Sequence, residues 1–223
     1  MRHLIALCCA TLTVAAVLDR VELVVGRRVI TELQLEEEMK VTSFLNVGNN
    51  SESAPDRRAA AHRLLEQALI AREMELARFP PPEESAVNAA LGRIRAQYSS
   101  NGAFTTALSV HGINEQVLEQ HIARQISMLR FIEYRFHPQL AFSDSDLQTA
   151  YREYVADWNA SHPKMTPPSF DEIQSAIRAR VLERRTDAAL DDWIRETRRQ
   201  VNVVYLDRTL EPPSTGSASE STK

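Results

Sequence analysis

Two different periods of apolar residues run along this chain. Near its start, Val21 to Val25 and Val29 to Thr31 are short, β-branched runs on either side of Gly26-Arg27-Arg28, which predicts a hairpin turning through those three residues. From residue 31 to residue 200 the apolar positions recur at helical spacing. Val201-Asn-Val-Val-Tyr-Leu206 then returns to strand character. The expected fold is mainly α, with the N-terminal hairpin and the C-terminal strand forming one small β-sheet that ties the chain ends together.

Local signals place the helix boundaries. Thr31 and Gln34 have the spacing of a capping box, with Ile30 and Leu35 as its hydrophobic staple. Asn46 to Pro55 reads as a polar loop. Asp56 to Phe79 carries Ala61, Leu65, Ala68, Leu69, Arg72, Leu76 and Phe79 at helical spacing and is expected to stop at Pro80-Pro81-Pro82. Pro82 is expected at the first position of the next helix, followed by Glu83 and Glu84 at its positive end and running to Ser99. Asn101-Gly102 predicts a break, Thr105 to Val110 a short helix, and Gly112 its left-handed end. Asn114 caps a helix whose expected stripe is Leu118, Ile122, Gln125, Leu129, Ile132 and Phe136, with Pro138 as its stop. Ser143 and Asp146 begin a helix that runs to Asn159, and Ser161 to Pro168 is a loop. Ser169 and Glu172 box the last helix, which runs to Gln200 with Phe170, Ile173, Ile177, Val181, Leu190, Trp193 and Ile194 on its apolar side.

Length and composition add limits. The 223 residues suit one domain with tails, and 6 glycines with 6% aromatic content argue against an all-β chain. Residues 1–16 have a positive start, an apolar stretch and small residues near their end, which reads as a cleavable signal peptide; an uncleaved N-terminal anchor is the alternative. That run is shorter than the roughly 20 residues a membrane span needs. The expected division is 1–16 signal peptide, 17–207 helical domain and 208–223 disordered tail rich in Pro, Ser and Thr. Both cysteines, Cys8 and Cys9, fall in the leader, so the exported chain has no disulfide, thiolate metal ligand or cysteine nucleophile. The net charge of −4, with arginines interleaved among acids, points away from nucleic acid as a partner.

Motifs for catalysis are weak. There is no glycine-rich phosphate loop, and hence no ATP or other cofactor is expected. His62, His111, His121, His137 and His162 are scattered. Ser109, His111 and Asp144 make a triad only on paper, because no strained serine turn accompanies them. Asp144 and Asp146 could pair on a metal, but their place after Ser143 fits helix capping better. Asn159-Ala-Ser161 matches a glycosylation acceptor, a pattern common by chance.

Three segments carry a family resemblance. They are Asp19 to Leu33, Phe104 to Leu118 continuing through Ile126, and Pro168 to Arg178 continuing to Trp193 and the strand Val201 to Leu206. In this order they resemble the SurA-like periplasmic chaperones, which are related in architecture to secreted parvulin foldases. The resemblance implies a periplasmic module that binds unfolded polypeptides without ATP, serving outer-membrane assembly. Relatives often insert a parvulin prolyl-isomerase domain between the two last helices. Here the joining segment is far below the roughly 50 residues a domain needs, so no isomerase is expected. A structural or adaptor subunit with one fixed partner, and an isomerase by family association alone, stay open as alternatives.

Such a holdase needs adaptable apolar surface between its helices. Met74, Met128, Phe131 and Tyr134 are the candidate polypeptide-binding residues, the last two because they are expected to fall off the main stripe of their helix. The competing reading for each is packing against another helix of the same chain. Docking on an outer-membrane assembly machine is left open.

Overall fold

The two ends of the chain meet in one sheet. A computed structural model describes residues 19–46, 56–137 and 141–212. It contains strands β1 (Val21–Val25) and β2 (Arg28–Thr31), then helices α1 (Glu32–Leu45), α2 (Arg57–Leu76), α3 (Glu84–Arg95), α4 (Asn101–Val110), α5 (Glu115–Phe136), α6 (Asp144–Ser161) and α7 (Phe170–Gln200). Strand β3 (Val203–Tyr205) and a 3₁₀ turn, Arg208–Leu210, follow. The protein is mainly helical, with a three-stranded antiparallel sheet in the order β2-β1-β3. The leader and the residues after 212 lie outside the described residues, as do most of the loop after α1 and Pro138.

Val25 pairs with Arg28, so the hairpin turns through Gly26 and Arg27 alone and Arg28 belongs to the returning strand. Gly26 has φ +61°, a conformation that a side chain would strain, and its N–H reaches Asn202 O at 2.8 Å. The register shifts between Val21 and Leu23, so Glu22 is an extra residue in β1. Its carbonyl accepts from Leu206 and Asp207, which draws β3 alongside β1. The closing strand is shorter than expected because the ladder covers Val203 to Tyr205 only.

The caps at Thr31, Asn114, Ser143 and Ser169 form as their spacing suggests. Helices α2, α3 and α4 differ at their boundaries. α2 ends three residues before Phe79. Arg78 N donates to Glu75 O and Phe79 N to Met74 O, with Arg78 at φ +50°. This is a Schellman end with an arginine in the left-handed position that glycine usually takes. It halts the helix before the prolines and folds Phe79 back onto Met74. α3 starts at Glu84, leaving Pro82 outside it, and stops at Arg95. α4 starts at Asn101: Ser100 Oγ accepts from Ala103 N at 3.1 Å, so the expected break at Asn101-Gly102 is instead the helix's first turn.

Apolar faces converge on four clusters. Leu23, Val25, Ile30, Leu35, Leu65 and Leu69 join the sheet to α1 and α2, and Leu210 completes this core. The fold therefore continues past residue 207, where a disordered tail was expected. Val41, Phe44, Leu91, Phe104, Leu108, Leu118 and Ile122 hold α1, α3, α4 and α5 together. Ile70, Met128 and Phe131 join α2 to α5, with Leu190 and Trp193 of α7 against them. Leu147, Ala150, Ile177 and Val181 pair α6 with the first half of α7. At 1.5 Å per residue the 31-residue α7 is about 46 Å long, so it projects the α6–α7 pair as an arm while its second half stays in the body.

An ionic clasp locks the meeting point of the ends. Glu22 is fully buried, and its Oε1 accepts from Arg20 Nε at 2.6 Å. The Arg57 guanidinium of α2 grips both oxygens of Glu32, Nη2 to Oε2 at 2.9 Å. It also lies 3.8 Å from Glu22 Oε2 and 3.8 Å from Asp207 Oδ2. The bond from Arg57 pulls the Glu32 carboxyl down to about 2, and Glu32 in turn raises the Arg57 guanidinium. One arginine thus touches acids from β1, α1 and the C-terminal turn.

Candidate polypeptide-binding surface

Two clefts flank the hairpin. The first is a cavity of about 190 Å³ between β2, α1, α2 and α5. Ile30, Leu64, Ala68, Ala71 and Met128 supply its apolar wall, and Gln67, Glu38 and His121 its polar one. The second, of about 770 Å³, lies between the hairpin tip and the ends of α2 and α7. Val25, Ala68, Leu76 and Val201 line it, with Arg27, Arg72 and Glu75 among its charged residues.

Glu38 sits on α1 between Leu35 and Val41, three residues from each, and is buried with them. Its Oε1 accepts from Arg63 Nε at 2.9 Å and from Thr42 Oγ1 at 3.4 Å. Its Oε2 faces His121 Nδ1 at 3.8 Å, beyond hydrogen-bond reach. Burial pushes the His121 imidazole below its ordinary range, against the opposing pull of Glu38. At neutral pH the ring is therefore uncharged, beside a Glu38 whose ionic partner is Arg63. The cavity residues Glu38, His121 and Gln67 were not among the sequence candidates. The available signal was a carboxylate at a buried helical position, three residues from apolar neighbours on both sides.

The four expected binding residues divide. Phe131 is 3% exposed and packs with Ile70 and Met128. It is therefore on the buried stripe of α5, whereas Leu129, expected on that stripe, is 59% exposed. The reason is that α5 packs on α3 through its first half and on α2 and α7 through its second, so its buried face turns along its length. Met128 is buried in the same cluster and also lines the smaller cavity. Met74 is half-buried against that cluster. Tyr134 is 66% exposed, with its ring 5.6 Å from Phe79. Phe79 in turn packs edge-on to Phe131 at 5.3 Å, and Arg130 lies over its face while donating to Pro81 O. Leu76, 67% exposed, is on the same end of α2 and borders the larger cleft. Leu76 thus stands exposed at the larger cleft, while the Schellman turn sets Phe79 against Tyr134 and Phe131.

The catalytic alternatives find separate partners. Ser109 Oγ donates to Thr105 O, His111 lies edge-on to Phe44, and Asp144 opens α6. Asp146 Oδ2 accepts from Ser143 N and Oγ and pairs with Arg185 at 2.8 Å, which is the capping role its position suggested. Among the described residues no group of three or more His, Cys, Asp or Glu is placed to hold a metal. No described helix is long and apolar enough to cross a membrane.

The fold is a mainly helical body whose N-terminal hairpin and C-terminal strand pair in one small sheet. No family model matches the chain and no curated protein matches it.

Proposed function

We propose that the chain is an ATP-independent periplasmic chaperone of the SurA-like kind, exported by residues 1–16, that holds unfolded or outer-membrane-bound polypeptides. Two exposed apolar side chains carry this reading. Leu76 and Tyr134 keep two thirds of their surface in water, Leu76 at the rim of an open cleft of about 770 Å³ and Tyr134 against Phe79. Exposed aromatic and aliphatic side chains at a cleft are costly in water unless something covers them. No prolyl isomerisation is part of the reading, since residues 162–169 alone join α6 to α7.

Light scattering tests it. The protein should suppress aggregation of two unrelated unfolded proteins, and the Leu76→Ser/Tyr134→Ser double variant should lose most of that protection at an unchanged melting temperature. Full protection by the double variant would refute the role of these two side chains. Protection of a single protein, in a fixed ratio, would favour the adaptor reading, and acceleration of proline isomerisation in a short peptide would overturn the non-enzymatic one.

A further inference from the structure

The smaller cavity opens on a free strand edge. Gly26 N and Glu22 O both bond to the β3 side, so by the alternation of an antiparallel ladder Leu23 and Val25 turn their backbone groups to β2. Their partners Ile30 and Arg28 face back to β1, which sends the N–H and C=O of Val29 outward. Val29 is 46% exposed and lines the cavity. An extended segment laid antiparallel along β2 would bond to Val29, and the residue next to the bonded one would point to the face of Ile30, which is buried against α2.

The cavity selects what that residue is. An apolar cavity of about 150 Å³ takes a benzene-sized group, so about 190 Å³ takes one long side chain. Leu64, Ala68 and Met128 suit an aliphatic stem. At the polar wall Glu38 Oε2 receives no hydrogen bond, and Gln67 makes none among the described residues. The cations around the cavity are already engaged: Arg63 with Glu38, Arg28 with Glu75, and Arg124 with Glu37 at 3.5 Å. The missing partner is a donor at the end of an apolar stem. Resting on the polypeptide-holding reading, we propose that an extended client segment adds to the β2 edge at Val29 and seats a lysine side chain in this cavity, its ammonium on Glu38 Oε2 and the Gln67 amide oxygen.

The test uses the full chain and blocked, fluorescent, Thr-rich peptides about six residues long, the usual strand length, with one central Lys, Glu or Leu. The Lys peptide should bind at least about tenfold tighter than the Glu and Leu peptides, a difference of about one decade in Kd. Val29→Pro removes the outward donor but no ladder bond, which an edge strand tolerates, so it should keep the melting temperature and weaken the Lys peptide by about tenfold. Met128→Trp, which narrows the cavity, should remove the preference for Lys. Equal binding of the three peptides, or wild-type binding by a folded Val29→Pro variant, would overturn the proposal. Aggregation suppression by the same preparations separates the two readings. Protection that persists with no Lys preference sinks the cavity assignment alone, while Lys-selective binding without protection sinks the chaperone reading and leaves the site.

Discussion

Replacing Arg57 with Met tests how much of the fold depends on the clasp between the chain ends. Arg57 holds both oxygens of Glu32 and lies 3.8 Å from Glu22 and from Asp207. Glu32 is held at about 2 against an ordinary value of 4.5. At about 1.4 kcal/mol per unit, that shift sets a ceiling of about 3 kcal/mol on the ionic contribution. The Glu32 side chain is 25% exposed, so screening by water and salt brings the net value to about 2 kcal/mol. For a chain of this size that is a fall of about 4–8 °C in Tm. The sign of the pH dependence follows from a depressed carboxyl. The contribution is complete above about 4.5 and disappears as pH falls toward 2, because the unfolded chain takes up the proton first. Urea unfolding of both proteins at several pH values should show a gap of about 2 kcal/mol at neutral pH that narrows below about pH 4.5. A gap under about 0.5 kcal/mol at neutral pH, or one that stays constant down to about pH 3, would refute the assignment.

Two other changes probe single features. Arg78→Gly relieves a left-handed residue at φ +50° at the end of α2, and should raise stability by about 1 kcal/mol by urea unfolding. Loss of stability would mean that the Arg78 side chain contributes more than its backbone costs. His121→Gln should flatten a pH effect: burial lowers the imidazole, so the unfolded chain binds its proton first and wild-type stability falls as pH drops below about 6.5. An identical slope in wild type and variant from about pH 7 to about pH 5 would remove His121 as the cause.

The resemblance of sequence to structure is closest where the signal is local. Thr31 with Gln34, Ser143 with Asp146 and Ser169 with Glu172 satisfy one another's backbone groups within a single turn, so their spacing alone places three helix starts. Gly112 at φ +66° ends α4 for an equally local reason. Phe131 is buried although it lies off the single expected stripe, because one stripe describes a helix with one partner and α5 has several. Of the candidate surface, Tyr134 could be read as exposed from its place off the stripe. Glu38 and His121 could not be matched to one another without the coordinates, since 83 positions of chain separate their numbers.

From the sequence alone came the helical class, the strand character of both ends and most caps, because periodicity and capping depend on neighbours a few residues apart. The tertiary structure alone decided that Arg57 serves acids from three parts of the chain, that the arm stands apart from the body, and that Val29, Glu38, Gln67 and Met128 surround one cavity. Those arrangements depend on which faces pack together, and packing is settled by long-range burial of apolar surface that no local pattern encodes.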